Sequence, residues 1–142
     1  MPVILQISLG SCILILCMAF HVFISTKLIE FLRLKAQPDE KRVSGNMFKA
    51  VSGILLLLLF SHTVQIYVWA IALGIFGGLP GYEEPIYFAL VTYTTVGYGD
   101  VTLDASYRIF GAMASVNGII AFGLTTAFLV GFFARFLGRR LN

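Results

Sequence analysis

Residues 95–100 read Thr95-Val96-Gly97-Tyr98-Gly99-Asp100, and their order suits a particular kind of cation chemistry. An ordinary strand aims successive carbonyls to opposite sides. Lining one wall with consecutive carbonyls requires backbone angles of alternating hand, and glycine takes positive φ at no steric cost. Gly97 and Gly99 stand two apart, while Val96 and Tyr98 can turn their side chains away from the wall and pack. A wall of peptide oxygens can stand in for the water around a dehydrated alkali ion. The same letters can also form a plain loop between two strands, with Gly-Asp as its turn. A given six-residue string arises by chance on the order of once in 10⁷–10⁸ start positions. Context decides between the two readings. The cation reading needs a short helix before the run and a membrane-spanning helix on each side.

The composition supplies that context. Of 142 residues, 58% are hydrophobic and only 12% are charged, against about 25% charged in a soluble domain. Residues 3–31, 48–76 and 108–136 are apolar, and each exceeds the roughly 20 residues that a spanning helix needs. A fourth apolar piece, residues 85–94, is too short to cross. It can enter and return, which is tolerated where protein or a water-filled cavity surrounds its irregular end. The first stretch lacks a basic start and a small-residue cleavage site, so it reads as a retained helix and not a signal peptide. The expected fold is an all-α membrane protein: three transmembrane helices plus a re-entrant helix and loop.

Lys and Arg in short loops mark the cytoplasmic side. Arg33, Lys35, Lys41, Arg42 and Lys49 lie at or between the first two spans, and Arg135, Arg139 and Arg140 close the third. Glu83, Glu84, Asp100 and Asp104 lie between the second and third. This arrangement puts the N-terminus outside and the C-terminus in the cytoplasm. The polar connection 35–42, broken by Pro38, reads as a solvated loop in preference to a lipid-headgroup site. The net charge of +3 comes from residues flanking the spans, with no basic stripe and interleaved aromatics to meet a nucleic acid. Cys12 and Cys17 point about 140° apart on a helix, which suits two small hydrophobes better than a disulfide or a metal pair.

The short apolar piece has a helix start. Gly77-Gly78-Leu79-Pro80-Gly81 closes the second span. Glu83, Glu84 and Pro85 then suit a first helical turn. A helix over 84–94 would run inward and aim its partly negative C-terminal end at the middle of the membrane, where a cation losing water gains from that field.

In that setting the run 95–100 resembles the selectivity filter of potassium channels, and residues 48–142 resemble the pore module of that family. The resemblance implies a homotetramer in which four loops aim carbonyls into one pore. It implies bound K⁺ at Thr95, Val96, Gly97 and Tyr98, with the Thr95 hydroxyl at the innermost site, Gly99 completing the run and Asp100 at the outer mouth. Tyr98 is expected to pack against pore-helix aromatics of a neighbour, with Tyr87, Phe88 and Tyr93 available on that helix. Related channels often pair the aspartate with a carboxylate in the pore helix. Val91 occupies that position, so the pairing is expected to be absent.

Residues 118–127 resemble the inner helix of the simplest bacterial potassium channels. Gly118 matches a gating hinge and Gly123 a packing glycine. Ile119, Phe122, Thr126 and Val130 would face the cavity below the filter, and Val130 or Ala134 would narrow the inner gate. Gly118 can equally serve close helix contact. Gly111-xxx-Ser115, Ala114-xxx-Gly118 and Ala127-xxx-Gly131 all fit the small-xxx-small pattern. The implied location is a bacterial cell membrane.

The remaining polar residues in the spans are few. His62 and Gln65 share one face of the second helix. His62 is either a proton sensor or a neutral histidine bonded to another helix, the second being the favoured reading. Asn117 is expected to make an interhelical hydrogen bond, with Thr92 as one possible partner. His21 is expected at an interface near the cytoplasmic end of the first helix. Two histidines on different helices without a nearby carboxylate cluster argue against a metal site, and no nucleophile–base pair argues for an enzyme. No cofactor is implied beyond K⁺, and no nucleotide- or calcium-sensing domain fits in the residues after Ala134.

The expected organisation is an extra helix over 1–34, a linker over 35–47 and the pore module over 48–142. The module divides into an outer helix 48–76, the pore helix 84–94, the filter 95–100 and an inner helix 108–136. The extra helix lacks the repeated arginines of a voltage sensor and is expected to pack outside the second helix, against lipid. The expected activity is passive, selective K⁺ conduction. The alternatives are a weakly selective cation channel and a non-conducting membrane subunit.

Overall fold

Long runs of apolar helix formers leave the backbone one economical way to satisfy its polar groups in lipid, which is internally, as helix. The computed structural model describes residues 1–35 and 43–141. Its elements are α1 (Val3–Lys35), α2 (Val43–Phe76), α3 (Glu83–Tyr93) and α4 (Arg108–Leu141). Among the described residues there is no strand, so the two-strand loop reading of residues 95–100 fails. Three helices carry segments long and apolar enough to cross a membrane: Val3–Phe31, Val51–Phe76 and Arg108–Ala134. The polar connection expected over 35–42 lies, beyond Lys35, outside the described residues.

α3 starts at Glu83, one residue before the expected 84, with Glu83 and Glu84 in its first turn and Pro85 next. Proline has no N–H, and the first four N–H groups of a helix lack an internal acceptor, so Pro85 loses nothing there. At the other end Thr94 and Thr95 donate their backbone N–H groups to Leu90 and Thr92, at 3.1 and 3.0 Å. These bonds stop the helix and turn the chain into the candidate filter.

The core lies where α2, α3 and α4 meet, around Trp69, Leu73, Ala89, Tyr93, Phe110, Ala114 and Ala121. A second cluster, Leu28, Ile54 and Leu58, holds the other end of the bundle.

The first helix departs from expectation. It packs on α4 more extensively than on α2. Gln6, Gly10, Cys17, His21 and Leu28 are its buried residues, at alternating steps of four and seven that place them on one helical face. Gln6 Oε1 accepts the Phe110 backbone N–H at 3.2 Å, and Gly10 has no room for a Cβ against Met113. The polar members of this stripe need partners away from lipid, and the groove between α2 and α4 supplies them.

Candidate functional site

The backbone of residues 95–99 carries the alternation that one-sided carbonyls require. Thr95, Gly97 and Gly99 have φ of 62°, 54° and 78°, whereas Val96 and Tyr98 stay at negative φ. Thr95 is the one non-glycine residue with positive φ among those described. A β-branched residue is strained there, at a cost of about 1–3 kcal/mol. Its N–H bond to Thr92 holds it in place, and the Gly97 N–H reaches back to the Val91 carbonyl at 3.1 Å. Sequence reasoning named the two glycines and missed Thr95. The signal was the two-residue period itself, which extends backwards from Gly97 to residue 95.

Asp100 is held by two donors. The Tyr87 hydroxyl donates to Asp100 Oδ2 at 2.5 Å, and the Val101 N–H donates to Oδ1 at 3.1 Å. Tyr87 lies one turn before Val91 on the same face of α3. The pore helix therefore tethers Asp100 through a phenol from a position where a carboxylate was not sought. The Tyr87 hydrogen bond holds the Asp100 carboxyl below the ordinary carboxylate range. The same bond pushes the Tyr87 phenol above its ordinary value.

Tyr98 and Val96 pack on little within one chain: they are 73% and 52% exposed. Tyr93 is not available for an aromatic cuff. It is fully buried, with its hydroxyl 2.9 Å from His62 Nδ1.

On α4, Ile119, Thr126, Val130 and Ala134 are exposed and share a helical face that nothing among the described residues covers. The Thr126 hydroxyl donates to the Phe122 carbonyl at 2.9 Å. Phe122, expected on that face, sits at its edge. Its ring stacks on His62 with centroids 4.6 Å apart and meets Tyr93 edge-on, because a large ring gains more from two aromatic neighbours than from an open face. Gly118 presses on the end of α3, where a Cβ would collide with the Tyr93 carbonyl. Gly123, expected to serve packing, has open space where its Cβ would stand, since it falls on the uncovered face.

The interhelical polar residues converge. Asn117 Nδ2 donates to Gln65 Oε1 at 2.7 Å, while the Thr92 carbonyl accepts from the Ser115 hydroxyl instead. His62 is bonded to other helices at both nitrogens, to Tyr93 and, at 2.9 Å, to Thr125 Oγ1. His21 Nδ1 is 2.9 Å from Ser61 Oγ, and the two imidazole rings are 5.2 Å apart. Among the described residues no group of three or more His, Cys, Asp or Glu side chains is placed to hold a metal. That α1 delivers His21 to His62 was not foreseen, because neither helix's own pattern names its partner.

Residues 66–135, from mid-α2 into α4, match a family model described as ion channel. With three apolar helices of spanning length, this match supports an integral membrane protein of the ion-channel class. The chain is also similar to the A-type voltage-gated potassium channel KCND3 of rat, rabbit and human. Each is 30% identical over 104 residues, which cover 66% of this chain. The chain spans 15% of the length of these curated relatives. No solved structure matches the chain significantly.

Proposed function

We propose that four copies of this chain assemble around one axis as a potassium-selective pore that lets K⁺ run down its electrochemical gradient. The observation that carries this reading is the alternating hand of the backbone at Thr95, Gly97 and Gly99. Four such runs would replace the hydration shell of K⁺ with the carbonyls of Thr95, Val96, Gly97 and Tyr98. The exposure of Tyr98 and Val96 supports the assembly, because apolar surface of that kind gains by meeting a neighbour. Asp100 then sits at the outer mouth, fixed by Tyr87. The uncovered face of α4, with Ile119, Thr126, Val130 and Ala134, lines the cavity and inner gate, and Gly118 is the candidate hinge above them. The excess of Lys and Arg beside the cytoplasmic ends orients the N-terminus outside.

Bi-ionic reversal potentials of the purified chain in liposomes test the proposal. They are expected to favour K⁺ over Na⁺. Gly99→Ala forces a side chain into positive φ at a cost of about 1–2 kcal/mol, and it is expected to abolish K⁺ flux while leaving the helical circular dichroism unchanged. Equal Na⁺ and K⁺ permeation sinks the selectivity. No flux from the native chain sinks the channel reading and favours a non-conducting subunit.

A further inference from the structure

One placement of protons runs through the buried polar contacts in a single direction. Asn117 donates its amide to Gln65 Oε1 at 2.7 Å, so the other end of Gln65 is its NH₂. That group lies 3.3 Å from His21 Nδ1 and donates to it. The Ser61 hydroxyl, 2.9 Å from the same nitrogen, is a second donor that shares its one lone pair, and Gln65 Nε2 also donates to the Ser61 carbonyl at 3.3 Å. Because Nδ1 accepts, a neutral His21 carries its proton on Nε2, which donates to Thr125 Oγ1 at 3.3 Å. The Thr125 proton then points to His62 Nε2 at 2.9 Å. That leaves the His62 proton on Nδ1, donating to the Tyr93 hydroxyl at 2.9 Å.

The run of donors ends at the Tyr93 hydroxyl. At its head, Asn117 Oδ1 is a buried acceptor without an assigned partner among the described residues.

We propose that Asn117, Gln65, His21, Thr125, His62 and Tyr93 form a one-way relay of neutral hydrogen bonds, drawn from all four helices, that positions the end of the pore helix. Tyr93 is the last residue of α3 and stands two residues before Thr95. The relay holds it at its hydroxyl, and Gly118 stops it at its carbonyl. His62 and Tyr93 are thereby positioning residues for the filter, a role that rests on reading residues 95–99 as one. α1 enters the relay through His21, so the extra helix is tied to the pore by hydrogen bonds as well as by packing. Hydrogen bonds in a chain polarise one another, so removing the last one weakens those before it.

Two measurements on the full chain in lipid bilayers test this. Nitrogen-15 solid-state NMR of the histidines at neutral pH is expected to find both neutral, His21 protonated on Nε2 and His62 on Nδ1. Tyr93→Phe keeps the ring packing and removes only the hydroxyl. It is expected to shift the His21 Nε2 resonance, although Tyr93 does not touch His21, and to lower the K⁺/Na⁺ permeability ratio by about two- to thirtyfold. The reverse tautomers, or a His21 resonance indifferent to Tyr93→Phe, overturn the relay. A native chain that selects K⁺ together with a Tyr93→Phe chain of unchanged ratio overturns the positioning role. If Tyr93→Phe does not assemble, Thr125→Val severs the link between the two histidines and carries the same two readouts. A native chain that does not select K⁺ defeats the filter reading, and the positioning role with it, while the histidine spectra still decide whether the relay exists.

Discussion

At residue 95 the chain accepts a strained backbone, with φ of 62° on a β-branched side chain. A glycine would remove the strain and, with it, the Thr95 hydroxyl. Asp100 shows a second local arrangement. Its carboxyl is held low by the Tyr87 hydrogen bond, so the ionised tether is complete above the ordinary carboxylate pKa and is lost as pH falls through the lowered one. The Tyr87 phenol is held high by the same bond, so its share is complete below the ordinary phenol pKa and is lost as pH rises through the raised one. Across the neutral range the tether is intact. Tyr87→Phe removes it throughout. The variant is expected to inactivate faster during sustained K⁺ current at pH 7, and to show none of the extra acid sensitivity of the native chain. Identical acid profiles for the two would show that the tether does not govern the outer mouth.

Among the elements, α3 and α4 are joined at backbone distance. A Cβ at Gly118 meets the Tyr93 carbonyl oxygen, while one at Gly123 meets nothing in the chain. Gly118→Ala is therefore expected to destabilise the fold by about 1–3 kcal/mol through overpacking, and Gly123→Ala to leave single-chain packing unchanged. Thermal unfolding in detergent distinguishes them; equal melting temperatures would mean that α4 yields at Gly118 and that the contact is soft.

The elements themselves were legible in the sequence. Their apolar lengths, and the Gly-Pro punctuation before Glu83, act locally and are visible in a linear pattern. The positive φ of Gly97 and Gly99 was legible for the same reason. The partners of the polar residues were not. His21, His62, Gln65 and Asn117 each read as an isolated exception within its helix, and only the packing of α1 between α2 and α4 makes them one group. A trace of that packing was nonetheless present, in the four-seven-four-seven spacing of Gln6, Gly10, Cys17, His21 and Leu28.

For the molecule as a whole, that spacing sets what the chain can do without. Gln6, Cys17 and Leu28 recur every eleven residues, as do Gly10 and His21. Eleven residues make 3.67 per turn, close to the 3.6 of a straight helix. The seam therefore runs nearly parallel to the helix axis for about 33 Å at 1.5 Å per residue, the full depth of the hydrocarbon. A chain stripped of residues 1–34 would turn Ser61 and Gln65 towards acyl chains that offer no hydrogen bond. It is expected to yield far less tetramer than the native chain on native mass spectrometry from lipid nanodiscs; equal yields would make α1 dispensable. With such a seam, the leading helix is a keel and not an appendage: along its whole length it shields polar groups of its neighbours that would otherwise face oil.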